Sequence, residues 1–421
     1  MNHNHTGEQP RLNASRRSLL KTGMALGALG AVARPLAAAA DTAPGSTVTL
    51  PFANGVRPLV AAGTFPQKGE MILQRTRPPL LETPWQVFEQ NLFTPNAQAY
   101  VRWHMNDFPT SVDVSKFKLK IFGEVEKPYE LTLDELVSSF PPTQIAAVNQ
   151  CSGNSRGFIS PRVPGAQWAH GAMFNAMFTG VTLAKLLARA GVKPGASHVA
   201  FRSLETPVAP YPAKTHFEKV LPLEKANDGA TTIAYEMNGE QMPLLNGFPL
   251  RLVVPGWYAT YWVKMVTEIE VTNHPGTGFW MTPAYMVPDN RAGAMIPGEV
   301  GVKMVPISAM VPRSFINTVD KATVGKSVAL KGFAFGGNSA LTTVQISTDG
   351  GTTWHPARLG KNWGEYGARE WASSFTPPKA GTYRVMAKAS NAAGLEQPME
   401  GRWNPGGFMY NAIEHIDIQA S

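Results

Sequence analysis

The chain has 421 residues and a single cysteine, Cys151. One thiol closes no intramolecular disulfide. It cannot build the cysteine clusters of a structural zinc or iron–sulfur centre, and it leaves no Cys-x-x-Cys-His site for attached c-type haem. Charge is scarce as well. Only 16% of residues are Asp, Glu, Lys or Arg, and no long basic run occurs, so a nucleic-acid partner is a poor reading. The formal charge of +8 overstates the basicity of the body. Arg11, Arg16, Arg17, Lys21 and Arg34 against Glu8 fall in the first forty residues, which leaves a net of +4 for the rest. Long hydrophobic runs are missing too. The most apolar N-terminal stretch, residues 23–36, is short and rich in Gly and Ala, a poor membrane span.

What remains is a globular composition. Hydrophobic residues make up 43%, and the 39 Gly and 35 Pro favour a loop-rich, strand-rich chain. The length exceeds one ordinary core, so two domains are expected. Ser15-Arg16-Arg17-Ser18-Leu19-Leu20-Lys21, followed by the apolar stretch and by Ala37-Ala38-Ala39-Ala40, reads as a twin-arginine export signal over 1–40. The expected location is the periplasm, with no stable membrane insertion after the leader is removed. Residues 41–79, rich in Gly and Pro, read as an extended arm.

Phe117, Leu119 and Ile121 alternate with lysines, the pattern of a half-buried strand. Thr132-Leu133-Asp134-Glu135 reads as a capping box opening a short helix. Thr182 is placed to cap a second helix, through Leu183, Leu186 and Leu187, that stops at Gly191. Leu250 to Val254 read as a buried strand ended by Pro255-Gly256. The texture changes near 306–312. Beyond it lie short alternating strands at 328–335, 344–348 and 383–389, with Asp349-Gly350-Gly351 as a turn and no convincing helix, which predicts a β-sandwich. The fold class is therefore α+β: a mixed α/β domain over 80–305 and an all-β, immunoglobulin-like domain over 306–421.

The chemistry centres on Val148-Asn149-Gln150-Cys151-Ser152-Gly153-Asn154-Ser155-Arg156-Gly157. Small residues at Ser152, Gly153 and Ser155 let the backbone turn and a large group approach the sulfur, with Arg156 as a nearby cation. A soft thiolate suits a metal otherwise held by its cofactor. This run resembles the cysteine loop of the sulfite oxidase family of molybdenum enzymes, Cys-(Ala/Ser)-Gly-Asn followed by Arg. Among these the bacterial periplasmic sulfite dehydrogenases are the most similar. The resemblance spans about 100–404 and keeps the family's order. It implies that Cys151 is the protein's one ligand to molybdenum, that molybdopterin completes the site, and that the second domain makes a homodimer interface.

The other site residues follow from the same resemblance. Val101-Arg102-Trp103-His104 is similar to the family's Val-Arg-x-His element, which places Arg102 and His104 at the substrate. Arg156, five residues after Cys151, matches an active-site arginine; relatives carry two adjacent arginines where this chain has Ser155-Arg156. Trp168 matches a pocket tryptophan. Arg369, within Gly367-Ala368-Arg369-Glu370-Trp371, resembles a second-domain arginine reaching the pocket, although the usual Ser-Phe is Gly367-Ala368. Tyr235, in Ala234-Tyr235-Glu236-Met237-Asn238-Gly239, is assigned the phenol beside substrate. Arg251 and Lys264 match basic positions that hold the pterin and its phosphate. Two departures remove positive charge: Asn246 stands where His is frequent, and Ala176-Met177-Phe178 replaces Ala-Arg-Trp.

The function implied is oxidation of sulfite to sulfate at molybdenum–molybdopterin. Guanidinium groups suit such a dianion because they keep their charge and bond oxyanions in pairs. With no intrinsic haem, electrons are expected to pass to an external c-type cytochrome. The alternatives are a sulfane-sulfur dehydrogenase or sulfoxide reductase of the same family, and a non-enzymatic exported binding module.

Overall fold

The computed structural model describes residues 46–206 and 217–421, so the expected export leader lies outside the described residues. Strand, at 38%, far outweighs helix, at 10%. The reason is local. Phe117, Leu119 and Ile121 are buried while the lysines between them are exposed, and the strand Lys118–Gly123 follows from that alternation. It pairs in parallel with Val266–Thr272 and antiparallel with Tyr129–Thr132, inside a five-stranded sheet. A second sheet sets Thr143–Gln150, Met173–Thr182, Thr232–Met237 and Glu240–Gln241 side by side, and Arg251–Val253 adds to Thr232–Met237. Cys151 follows directly from the end of Thr143–Gln150.

The helix Leu133–Ser139 starts at the expected capping box. The Glu135 amide donates to Thr132 Oγ1 (3.2 Å), and Glu135 Oε2 accepts from the Thr132 amide (2.8 Å). The helix Leu183–Ala190 buries Leu183, Leu186, Leu187 and Ala190 and stops at Gly191, whose φ of 68° suits glycine. Thr182 occupies its N-cap position, but the side chain makes no capping bond there. Both helices cover the main core.

Residues 41–79 depart from expectation. The described part of this segment is folded, not an extended arm. Thr47–Thr49, Val56–Val60 and Met71–Arg75 form consecutive antiparallel strands, continued by Leu80–Glu82 and Val101–Arg102. The physical reason is burial: Val60, Met71, Leu73 and Leu81 pack with Val101, Trp103, Leu245 and Met265 in one apolar cluster. Apart from Pro58 the Pro and Gly fall between the strands, while buried apolar residues such as Val60, Met71, Ile72 and Leu73 carry the sheet. The segment thus becomes a wall beside Arg102.

The C-terminal part, from Arg313 onward, is the expected sandwich. One sheet orders Arg313–Ile316, Val328–Phe335, Arg369–Phe375 and Arg358–Leu359. The other orders Lys321–Ala322, Glu414–Ala420, Gly381–Asn391, Leu341–Ser347 and His355–Pro356. Leu330, Ala334 and Trp371 from the first meet Val344, Ile346, Val385, Ala387 and Ile418 from the second.

A charged tie links this sandwich to the loop after Cys151. The fully buried Arg313 donates to Glu414 Oε1 (2.7 Å) and to Ser155 Oγ (2.8 Å), while His170 Nε2 lies 3.3 Å from Glu414 Oε2. Burial pushes the Glu414 carboxyl up, but His170 and Arg313 outweigh it and hold the group at about 2. Because the folded value lies below the ordinary one, this tie stabilises fully above the usual carboxylate range and fades as pH falls through about 2. Glu414→Gln should therefore flatten the acid limb. Between pH 7 and pH 3 the variant should lose about 2 kcal/mol less than wild type in urea denaturation.

Candidate active site

One cavity gathers Tyr100, Arg102, His104, Cys151, Ser152, Asn246, Arg251, Thr260, Lys264 and Tyr285 in its wall. Five of the residues singled out from sequence are thus brought together: Arg102, His104, Cys151, Arg251 and Lys264. The Cys loop is strapped to the segment behind it. The Cys151, Ser155 and Gly157 amides donate to the carbonyls of Ala172 (2.9 Å), Ala169 (2.7 Å) and Trp168 (3.0 Å). Ser155 takes a left-handed conformation, φ 66°, which turns the chain before Arg156.

The wall is cationic. Arg102, Arg251 and Lys264 line it, and no carboxylate does among the described residues. Lys264 Nζ donates to the Arg102 carbonyl (3.0 Å) and sits 4.4 Å from the Trp103 ring centroid. Burial lowers its pKa, with Glu205 pulling the other way. Glu205 itself is buried behind the wall and accepts the His104 and Met105 amides at 2.8 and 2.5 Å. Burial lowers Arg251 to about 10. His104 Nε2 and the Tyr285 hydroxyl share a hydrogen bond of 2.7 Å. Burial, reinforced by Arg102, Lys264 and Lys219, holds His104 well below its ordinary value, so the ring is neutral. Burial raises the Tyr285 phenol, which keeps its proton. The pair can therefore pass or hold a proton without carrying charge.

Several buried polar atoms of its lining residues lack a partner: Arg102 NH1, Arg251 Nε, His104 Nδ1 and Ser152 Oγ. Buried guanidinium nitrogens left unpaired are costly, and in this wall they could pair with an anion. A larger groove of about 580 Å³ lies elsewhere, beside Trp85, His170 and Glu414. Its principal charged groups are already paired: Glu414 with His170 and Arg313, and Glu82 with the Gly171 amide and Gln74. The small cationic cavity is the better site.

The remaining sequence candidates fall differently. Arg156 is buried next to the cavity wall but does not line it. Its Nε donates to the Gly406 carbonyl and NH1 to the Ala166 carbonyl, both 3.0 Å, and its guanidinium lies 5.3 Å from the Phe408 ring centroid. Glycine makes room for it. A Cβ on Gly153 would come within 2.3 Å of NH2, and one on Gly165 within 2.8 Å of NH1. Trp168 packs edge-on against Tyr100, 6.4 Å between centroids, one layer behind the wall. Arg369 does not reach the cavity: its NH2 donates to the Gly360 carbonyl (2.8 Å) within its own domain. The sandwich meets the site region instead through the loop carrying Gly406 and Phe408.

Tyr235 is also displaced from its assigned role. It sits in Thr232–Met237 where the register shifts between Ala234 and Glu236, and it does not line the cavity. The phenol in the wall belongs to Tyr285, just before the strand Met286–Pro288. No run of neighbouring residues marked Tyr285 in the sequence; a distant pairing delivers it, Met286–Pro288 against Met304–Pro306. Glu205, which holds the His104 amide, and Lys219, which lowers the His104 pKa, carry no such mark either.

Two family profiles match in tandem: "Oxidoreductase molybdopterin binding domain" over residues 105–280, and "Mo-co oxidoreductase dimerisation domain" over 303–421. The chain belongs to the sulfite oxidase family of molybdenum enzymes. Mitochondrial sulfite oxidase of Rattus norvegicus is 28% identical over 362 residues, 82% of this chain and 64% of that protein. The chain thus spans about 64% of the length of this relative. Sulfite oxidase of Arabidopsis thaliana is 29% identical over 368 residues, covering 80% of this chain and 90% of the plant protein. Among solved structures, the sulfane dehydrogenase SoxCD from Paracoccus pantotrophus superposes with a TM-score of 0.68 at 25% identity, over 81% of this chain and 84% of that one. The fold class, a molybdopterin-binding domain followed by a β-rich domain, is that of the family.

The residues present fit the family's cofactor. Among the described residues no three His, Cys, Asp or Glu gather around a metal position. Arg251, Lys264 and Asn246, which line the cavity, could hold an anionic pterin, and Arg251 Nε is a donor without a protein partner.

Proposed function

We propose that this chain oxidises sulfite to sulfate in the periplasm, passes the electrons to a separate c-type cytochrome, and works as a homodimer joined through its second domain. The observation that carries this reading is the meeting of Cys151 with the unpaired guanidinium nitrogen of Arg102 in one cationic cavity. Bound molybdopterin supplies two-electron oxygen-atom transfer at molybdenum, with Cys151 as the protein ligand. The chain's own groups do the rest. Arg102 binds and orients the oxyanion. Lys264 and Arg251 offset negative charge in a desolvated space, where each charge counts for more than in water. Tyr285 and His104 hold a proton beside the substrate without adding a charge.

The deciding experiment supplies purified, cofactor-loaded protein with sulfite and ferricyanide or cytochrome c. Sulfite-dependent reduction is expected; no reduction with full molybdenum occupancy would sink the proposal. A second reading, dehydrogenation of a carrier-bound sulfane sulfur, is favoured by the likeness to the Paracoccus enzyme. It predicts faster turnover on that substrate than on sulfite.

The two tyrosines separate cleanly. Tyr285→Phe removes the phenol that His104 contacts and should lower kcat/KM by about two- to tenfold, the worth of one hydrogen bond. Tyr235→Phe should leave it within about twofold, since Tyr235 does not line the cavity. Steady-state kinetics at equal molybdenum content checks both. Export is tested separately: with Arg16 and Arg17 both replaced by Lys, the protein should stay in the cytoplasm with its leader attached. Efficient export of that variant would point to another route.

A further inference from the structure

Lys68 is almost completely buried, yet it lies in the segment between the strands Val56–Val60 and Met71–Arg75, far in sequence from every motif of the site. Its ammonium has three N–H donors, and three acceptors surround it: the Asn96 carbonyl at 2.9 Å, the Ala99 carbonyl at 2.8 Å and the side-chain oxygen of Asn246. No carboxylate is among them. Burying a lysine against neutral dipoles is expensive, and its pKa falls well below the ordinary value, through burial first and Arg251 second. A buried methionine would fill similar volume at less cost, so the charge calls for a role.

Asn246 lines the cavity and is itself almost wholly buried. The two ends of a side-chain amide have nearly the same shape, so its partners alone decide which end faces where. An ammonium only donates, which pins the Asn246 oxygen toward Lys68. The amide nitrogen then gives one N–H to the Tyr100 carbonyl (3.1 Å) and keeps a second. The Asn246 carbonyl also accepts Arg251 NH1 (2.8 Å), so the same residue steadies a second cation of the wall.

We propose that Lys68 is a positioning residue for the cofactor: its ammonium orients the Asn246 amide so that its free N–H meets an acceptor atom of the bound pterin. The N-terminal sheet is thereby part of the cofactor site. This rests on the family's cofactor, not on sulfite as substrate.

The test reads bound pterin, not turnover. Lys68→Met, Asn246→Leu and the double variant are matured with cofactor supply, and pterin per chain is measured by fluorescence after oxidation. Pterin loss during dialysis and thermal melting are followed in parallel. Each single variant should lose pterin about tenfold faster than wild type, the worth of a charge-assisted hydrogen bond. The double variant should be no faster than the worse single, because Lys68 acts through Asn246. A merely structural lysine would give losses that multiply, and that outcome, or wild-type retention in Lys68→Met, overturns the proposal. If Lys68→Met is recovered too poorly to measure, Lys68→Leu, which likewise offers no donor, is read by the same criteria. A wild-type protein that retains pterin but ignores sulfite would overturn the proposed substrate alone.

Discussion

Cys151→Ser should abolish sulfite oxidation, a loss of more than about a thousandfold or about 4 kcal/mol of transition-state stabilisation. The cause is the ligand atom. A serine hydroxyl is hard and weakly acidic, and it cannot replace a thiolate at this metal. The fold should survive, because the change preserves shape and the loop is held by backbone bonds, Cys151 to Ala172 and Ser155 to Ala169, that do not use the sulfur. Pterin should remain bound in part through Arg251, Lys264 and Asn246. Kinetics, molybdenum content and melting temperature on one preparation check all three statements. Near-normal turnover would remove Cys151 from the metal.

Arg102→Gln is the next largest expected effect, about ten- to a hundredfold in kcat/KM for sulfite, corresponding to about 1.5–3 kcal/mol for one charge-assisted hydrogen bond. The structure adds a second signature. Arg102 NH1 has no partner in the wall, so its removal leaves no protein acceptor stranded there. Cofactor-free Arg102→Gln should therefore melt no lower than wild type, and somewhat higher if relief of buried, uncompensated charge dominates. A neutral sulfur substrate should lose less than sulfite. Arg369→Gln serves as the contrast, since that side chain bonds Gly360 in its own domain and should leave kcat/KM unchanged. If Arg102→Gln keeps wild-type kcat/KM at full molybdenum occupancy, the oxyanion binds elsewhere.

Much of the fold was legible because its signals are local. Alternation placed Lys118–Gly123 and Val328–Phe335, and Thr132 with Glu135 marked the start of Leu133–Ser139. The Cys loop was legible because its chemistry lies in consecutive residues. The N-terminal segment was misread because Gly and Pro in its turns masked three short strands whose apolar residues find partners in distant segments, at Trp103, Leu245 and Met265 and at Ala169. Arg369 and Tyr235 were misplaced because a motif carries a residue to the right element but not to the right face. At Tyr235 the strand shifts register between Ala234 and Glu236, and such a shift reverses which side chains share a face.

By itself the sequence determined the inventory: one thiol, Cys151, and enough fixed cations to hold an anion, among them Arg102, Arg251 and Lys264. Those are properties of residue type, and no folding changes them. Only the tertiary structure decided which tyrosine and which cations stand around the sulfur. Tyr285 arrives through a hairpin with 304–306, Lys68 through a bond to a residue 178 positions away, and the second domain through a carbonyl of Gly406 in place of a guanidinium. Each depends on pairing between distant segments. A side chain's direction follows from that pairing and from the bulges within it, and neither is written in the neighbouring residues.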